Sequence, residues 1–125
     1  VKEVVKGKRV ILIDDSLIRG TTTTNLVHSV KEAGAKEVHL RISCPPNLYP
    51  CYYGIDFPSN TELIAAKKTI EEIRDYLDLD TLYYLSLEGM VKATGVSSDS
   101  FCKACFDGKY PVPPDPAFNK LSFHK

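Results

Sequence analysis

The chain has 125 residues, with 16 Lys and Arg against 16 Asp and Glu, so its formal net charge at pH 7 is zero. This length suits one modest domain, and the charge balance argues against both nucleic-acid binding and a disordered acidic tail. The sequence has no apolar run of transmembrane length and no signal-peptide pattern, so we expect a cytoplasmic protein without a membrane partner.

The first predicted strand ends at two acids. Residues 10–13 form an unbroken apolar run, typical of a strand buried on both faces, and Asp14 and Asp15 follow directly. Gly20 then precedes four threonines, residues 21–24, which open a helical pattern. Ligands of open α/β sheets bind beyond the carboxyl ends of the strands, and a glycine with a starting helix can cradle a phosphate. The segment therefore predicts an anion cradle beside a pair of acids that could meet hydroxyls or Mg²⁺.

This segment matches neither of two common phosphate-binding motifs. It lacks the Gly-Lys-Ser/Thr ending of a Walker A loop and the Gly-x-Gly-x-x-Gly of a Rossmann fingerprint. A purely structural alternative is a strand, a turn capped by aspartates and a threonine-rich helix start. Two acids at the end of a buried strand are costly without a cationic ligand, which favours a binding site.

The threonines begin the helix of a predicted strand–helix–strand unit. One apolar stripe along this helix is formed by Leu26, Val27, Val30 and Ala33. Gly34 follows as a helix stop, and residues 37–42 alternate as a second strand. One face of this strand would present Val38, Leu40 and Ile42, and the other would present Glu37, His39 and Arg41. We expect the two strands to be parallel, with a right-handed connection.

Regular structure is predicted to be sparser beyond the second strand. Three prolines exclude regular structure from residues 43–50. A capping box at 59–62 is expected to open a short helix, and a second box at 69–72 to open another, with Ile70, Ile73 and Leu77 buried. A strand is expected at 82–85 and a helix at 87–94, ended by Gly95. The remainder is expected to be a loop at 97–116, with an extended, poorly ordered tail after Pro111. Three strands are few for the helices present, so we expect the later part of a larger α/β protein.

Four cysteines suggest a metal or redox role. Residues 102–105 form a Cys-x-x-Cys pair, which alone is compatible with zinc, a redox dithiol, an iron–sulfur cluster or no function. The predicted loop around it disfavours a thioredoxin-like dithiol, which begins a helix. Zinc requires four ligands, and only Cys44 and Cys51 remain. We expect His28 and His39 to be ordinary surface or packing residues.

Residues 10–24 resemble the phosphoribosyl pyrophosphate (PRPP) signature of type I phosphoribosyltransferases. The version Asp-Asp-Ser-Leu-Ile-Arg-Gly-Thr-Thr is similar to that of the glutamine PRPP amidotransferases, or amidophosphoribosyltransferases. The resemblance implies part of a Rossmann-like parallel sheet with flanking helices and a loop-rich C-terminal region. It implies that Asp14 and Asp15 contact the ribose hydroxyls and Mg²⁺, and that no residue is catalytic in its own right. The implied contacts to PRPP also include Ser16, Arg19, Gly20, Thr21 and Thr22.

Two further segments, residues 49–59 and 101–111, resemble the cysteine-bearing segments of the iron–sulfur-containing subgroup of that family. The resemblance implies a [4Fe-4S] cluster whose ligands include Cys51, Cys102 and Cys105. The fourth ligand would lie before Val1, outside this chain. Cys44 matches no ligand position and is expected to be a buried thiol.

The resemblance implies an enzyme of the first step of de novo purine biosynthesis, in which glutamine-derived ammonia displaces pyrophosphate from PRPP. Residues 1–96 would be the C-terminal part of the phosphoribosyltransferase domain, and 97–125 the cysteine-containing loop and tail. The glutaminase domain and the first half of the phosphoribosyltransferase domain are expected elsewhere in a homo-oligomeric parent, so we expect the isolated chain to be inactive. The alternatives are another type I phosphoribosyltransferase of salvage and a non-catalytic PRPP-sensing module, neither of which explains the cysteines.

Overall fold

A three-stranded parallel sheet with intervening helices is the centre of the fold, in the strand order β1-β2-β3. The computed structural model describes residues 2–55 and 62–115. The strands are β1 (Arg9–Asp14), β2 (Glu37–Ile42) and β3 (Thr81–Tyr84). The helices are α1 (Lys2–Val5), α2 (Thr21–Glu32), α3 (Ile64–Lys67), α4 (Ile70–Tyr76), α5 (Leu87–Thr94) and α6 (Ala104–Asp107), with a 3₁₀ turn at Ser98–Ser100.

The predicted strand–helix–strand unit is confirmed. Strands β1 and β2 are parallel, and Asp14 lies opposite Ile42 at their carboxyl ends. Helix α2 begins at Thr21, and Gly34, whose φ is 91°, follows the C-cap Ala33. Only glycine adopts this backbone at little cost, so the predicted stop has the expected physical basis.

The hydrophobic core lies on one face of the sheet. Alternate residues of a strand point to the same face, and those of β2 and β3 pack against α2, α3 and α4. The buried members of this cluster are Leu17, Val27, Val30, Val38, Leu40, Ile42, Ile64, Ile73, Leu77, Leu79 and Leu82. The carboxyl ends of the strands are thereby fixed relative to the start of α2.

The prediction that the first strand is buried on both faces was wrong. Ile11 and Ile13 of β1 are 61% and 78% exposed. Strand β1 is an edge strand, and no described element covers the face on which these two side chains stand. The strand with three consecutive buried residues is instead β2, because it has a neighbour on each side.

The second predicted capping box is present at the start of α4. The Thr69 hydroxyl accepts a hydrogen bond from the Glu72 amide, and the Glu72 carboxylate accepts one from the Thr69 amide. Ile73 and Leu77 are buried as predicted, but Ile70 is 45% exposed because it lies in the first turn, beside an open groove along β3.

Helix α2 buries a slightly different face from the predicted one. Leu26 is exposed, because the buried stripe runs through Thr23, Val27 and Val30 at the spacing of one helix face. Ala33 is half-buried at the C-cap.

The C-terminal half contains more structure than was predicted. Strand β3 begins one residue before the predicted strand, and α5 ends at Gly95 as expected. The segment 97–116 was predicted to be a loop, but its described part contains a 3₁₀ turn and α6, because short helical turns lack a long periodic pattern. Residues 59–61 of the first predicted capping box and the tail from 116 lie outside the described residues. No helix in the described ranges is long and apolar enough to cross a membrane.

Candidate functional site

The loop that follows β1 ends at an uncapped helix. Gly20 is the N-cap of α2, with φ 82° and ψ −12°, and no side chain caps this end. Its carbonyl oxygen accepts hydrogen bonds from the Thr24 amide at 2.8 Å and the Thr24 hydroxyl at 2.9 Å. The first turn contains no acidic residue, so the positive end of the helix dipole has no negative side chain within it. This end of α2 is suited to an anion.

The four threonines differ in their surroundings. Thr21 and Thr22 are exposed, Thr23 is buried, and the Thr24 hydroxyl is bonded to the Gly20 carbonyl. Two hydroxyls are therefore accessible at the helix start, next to the amides of the first turn.

The two acids lie at the carboxyl end of β1 and are exposed. Asp14 Oδ1 accepts a hydrogen bond from the Asp15 amide at 2.9 Å, and Asp15 Oδ1 accepts one from the Ser16 hydroxyl at 3.2 Å. The argument that burial makes this pair of acids costly was wrong, because both residues are exposed. Their remaining oxygen atoms are accessible to a cation.

Arg19 is in an ion pair that the sequence did not predict. Its Nη2 lies 2.9 Å from Glu62 Oε1, and both side chains are about half exposed. The same loop is anchored by the Ile18 carbonyl, which accepts from the Ile64 amide at 2.8 Å, and by the buried side chain of Leu17. Residues beyond β2 therefore set the position of the loop after β1.

The first and second cysteine-bearing segments pack against each other. The amides of Leu48 and Tyr49 donate to the Cys105 carbonyl at 3.0 and 3.1 Å. The Tyr110 hydroxyl donates to the Pro50 carbonyl at 2.8 Å. Cys105 belongs to α6, so the prediction that the Cys-x-x-Cys pair lies wholly in a loop was wrong.

Two of the thiols, Cys51 and Cys102, lie within electrostatic reach of a third, Cys105. Burial raises the pKa of the Cys105 thiol, and negative charge on Cys51 and Cys102 raises it further. A backbone hydrogen bond at Cys105 lowers this pKa, with a smaller lowering from the Asn47 side chain. All are free thiols, with Cys102 exposed and the other two half-buried.

Cys44 lies within electrostatic reach of Cys105 and of the acid pair. Burial raises its pKa to about 11, and the charges of Cys105, Asp15 and Asp14 act in the same direction. The thiol is half-buried and donates to the Pro45 carbonyl at 3.2 Å. The expectation of a buried thiol is met only in part, because the side chain is half-buried.

The described residues contain no group of three His, Cys, Asp or Glu side chains placed to hold a metal ion. The cysteines are thus brought to one region without converging on one point. Neither described histidine belongs to it. His28 pairs with Glu32 on the surface, and the buried His39 bonds to Thr81 and Glu37, as expected for surface and packing residues.

No family model matches the chain. It is 52% identical over 111 residues to an amidophosphoribosyltransferase of Synechocystis sp., a match that covers 89% of this chain and 22% of that protein. The structure of an allosteric regulatory enzyme of purine biosynthesis aligns with a TM-score of 0.87 and 47% identity, over 94% of this chain and 26% of that one. The glutamine PRPP amidotransferase from B. subtilis, complexed with ADP and GMP, aligns with a TM-score of 0.82 and 50% identity, over 89% and 25%.

The chain spans about a quarter of the length of these proteins. Over that quarter, about half of the aligned residues are identical and the fold agrees closely. The chain is therefore a homologue of the amidophosphoribosyltransferases, matching one segment of them with the same mixed α/β fold.

Proposed function

We propose that this chain is the PRPP-binding part of an amidophosphoribosyltransferase, which makes 5-phosphoribosylamine in the first step of de novo purine biosynthesis. One observation carries the proposal. An uncapped helix with a left-handed Gly20 at its start follows directly on two exposed acids, in a chain that is half identical to enzymes of that name. Phosphate-binding and cation-binding groups are thus adjacent, as the two ends of PRPP require.

The start of α2 would bind the 5-phosphate. The amides of its first turn and the accessible hydroxyls of Thr21 and Thr22 supply donors to an anion. Arg19 would add a cation by exchanging Glu62 for the phosphate. An exposed pair of this kind contributes only about 0–1 kcal/mol, so the exchange costs little.

Asp14 and Asp15 would face the ribose, with Ser16 beside them. In the reaction, the ammonia lone pair forms the bond to the anomeric carbon while the bond to the pyrophosphate oxygen breaks, and the new ammonium group then releases one proton to water. Positive charge develops on the sugar, and nearby carboxylates stabilise it. Mg²⁺ is bound in such sites by one or two carboxylates together with substrate phosphates, which two exposed acids fit. When bound, the ion would offset the charge of the departing pyrophosphate.

Cys51, Cys102 and Cys105 would supply three thiolates to a [4Fe-4S] cluster, with the fourth ligand outside this chain. Support comes from a donor set of sulfur alone and from the position of Cys51 and Cys102 within electrostatic reach of Cys105. Each thiolate of such a cluster binds a different iron, so the sulfurs need to surround a volume rather than meet at one point. The cluster would join the segment after residue 96 to the α/β part, which we propose as the division between 1–96 and 97–125.

The alternatives are weaker. A salvage phosphoribosyltransferase or a PRPP-sensing module would use the same loop, but neither accounts for paired cysteine segments. Four free thiols also suit a reducing compartment, and we propose a cytoplasmic location.

The acid pair gives the direct test. In the full-length protein, Asp14→Asn with Asp15→Asn should abolish pyrophosphate release from PRPP at high ammonia, which replaces the glutaminase reaction. The matched control is Asp75→Asn with Asp78→Asn, which removes two exposed carboxylates from the end of α4. Unchanged PRPP-dependent turnover in the first variant would refute the assignment of the site.

A further inference from the structure

One lysine near the proposed phosphate loop takes no part in an ion pair. Lys68 is the C-cap of α3 and is exposed. Its ammonium forms no ion pair with a carboxylate of the described residues, whereas Arg19, the cation of the loop itself, is paired with Glu62. Lys68 can therefore receive an anion without first leaving a carboxylate.

The backbone of Lys68 is held close to the loop by α3. The Ile64 amide donates to the Ile18 carbonyl at 2.8 Å, and Ile64 Cδ1 lies 3.0 Å from a Cβ atom built on Gly20. The Lys68 amide in turn donates to the Ile64 carbonyl at 3.0 Å. Residues four apart are neighbours along a helix, so Lys68 lies one turn beyond the residue that meets the loop.

Tyr76 brings the ammonium itself toward the start of α2. Its Cε1, which is bonded to the ring carbon that carries the hydroxyl, lies 3.6 Å from the Cβ position of Gly20. The Lys68 Nζ lies 5.6 Å from the centroid of the same ring, within the range of a cation–π contact. The tyrosine is 52% exposed, so part of the ring is open to solvent. One ring thus contacts both the N-cap of α2 and the ammonium.

The start of α2 lacks a positive side chain of its own. Its amides and the hydroxyls of Thr21 and Thr22 are neutral donors, whereas a phosphate monoester carries close to two negative charges at pH 7. A lysine has a flexible four-carbon stem, so its ammonium can move from the ring face to a phosphate oxygen. The exchange is favourable, because an exposed cation–π contact is weaker than a charge-assisted hydrogen bond to phosphate.

We propose that Lys68 binds the 5-phosphate of PRPP and that Tyr76 positions its ammonium beside the start of α2. The inference rests on the proposed function, because it takes this loop as the site of the 5-phosphate. Lys68 supplies charge to the monoester end of the substrate, while Asp14 and Asp15 lie toward the ribose. Lys68 therefore contributes to substrate binding and not to the chemistry at the anomeric carbon.

The test measures the KM for PRPP of the full-length protein at high ammonia. Lys68→Gln should raise KM roughly tenfold with kcat unchanged, because a charge-assisted contact far from the reacting carbon is lost. Lys68→Arg should retain most of the affinity. The matched control is Lys67→Gln, which removes the same charge from the neighbouring exposed lysine and should leave KM unchanged. Equal KM values in Lys68→Gln and Lys67→Gln would overturn the inference.

Two inhibitors identify the end of PRPP that Lys68 contacts. Ribose 5-phosphate carries only the monoester, and pyrophosphate represents only the leaving group. In Lys68→Gln the inhibition constant of ribose 5-phosphate should rise by the same factor as KM, and that of pyrophosphate should not change. A rise for pyrophosphate alone would refute the assignment to the 5-phosphate.

A second pair of variants tests the role of Tyr76. Tyr76→Phe keeps the ring and should keep the wild-type KM, whereas Tyr76→Leu removes the ring and should raise KM. Equal KM values in the two would refute the positioning role. Retained turnover in the Asp14 and Asp15 double variant would instead refute the proposed function. An inactive double variant beside a Lys68→Gln enzyme of normal KM would refute this inference alone.

Discussion

Gly20 and Ile64 are in contact beneath the proposed phosphate loop. A Cβ atom built on Gly20 would lie 3.0 Å from Ile64 Cδ1, closer than ordinary van der Waals contact. The Ile64 amide also donates to the Ile18 carbonyl at 2.8 Å. The shape of the loop after β1 therefore depends on α3, which follows it by one strand, one helix and an irregular segment.

Gly20→Ala is expected to destabilise the protein and weaken PRPP binding. The left-handed backbone costs a non-glycine residue about 1–2 kcal/mol, and the contact with Ile64 adds crowding. Thermal melting and PRPP titration of the full-length protein measure the two effects. Gly95→Ala is the matched control, since Gly95 has a φ of 69° and nothing within 4 Å of an added Cβ. Equal losses of stability in the two variants would show that the contact with Ile64 is unimportant.

Glu62→Gln is expected to strengthen PRPP binding, because Arg19 would no longer have to leave a carboxylate. An exposed ion pair is worth about 0–1 kcal/mol, which corresponds to a gain of up to about fivefold in affinity. The gain should shrink as salt screens the pair. Isothermal titration at two salt concentrations measures it, with Glu32→Gln on the exposed surface of α2 as control. A weaker affinity in Glu62→Gln would mean that the pair helps to form the site.

Local signals in the sequence located most of the elements. These signals each involve residues that are close in the sequence. They are the capping box of Thr69 and Glu72, the helix stops at Gly34 and Gly95, and the alternation of β2. Such features follow from backbone geometry within one turn or strand, so they are readable without the fold. The glycine and threonines of the proposed phosphate loop belong to the same class.

Contacts between residues far apart in the chain could not be predicted from local sequence patterns. The exposure of Ile13 depends on what covers a sheet face, and the pairing of Arg19 with Glu62 depends on how α3 packs. Asn47 belongs to no sequence motif, and only its burial beside the Cys44 thiol distinguishes it from other polar residues of the loops. Buried polar residues in irregular segments are thus the positions that sequence patterns miss.

The capping box should make stability depend on pH in the acid range. The hydrogen bond from the Thr69 amide, followed by that of its side chain, lowers the pKa of Glu72 below its ordinary value of 4.5. Because this pKa is lowered, ionised Glu72 contributes to the free energy of unfolding. The contribution is fully present above pH 4.5 and is lost as the pH falls through the lowered pKa. Glu72→Gln should therefore flatten the fall of the melting temperature below pH 4.5. Glu71→Gln, which removes a neighbouring charge outside the box, should not, and equal slopes would contradict the prediction.

The isolated chain is expected to self-associate through β1. Its outer edge has no strand partner among the described residues, and Ile11 and Ile13 present apolar surface beside it. Open edges next to apolar side chains pair with other chains, and a lysine on such a strand opposes this. Ile13→Lys should thus lower the apparent mass of the chain at a given concentration, as measured by sedimentation velocity.

The control for this prediction is Val112→Lys, which places the same charge on another exposed apolar residue, 68% exposed against 78% for Ile13 and far along the chain from β1. It should leave the association unchanged, because no residue described near Val112 belongs to a strand. A wild-type chain that stays monomeric at high concentration would contradict the prediction. So would equal effects of the two lysines, since net charge rather than the β1 surface would then control association.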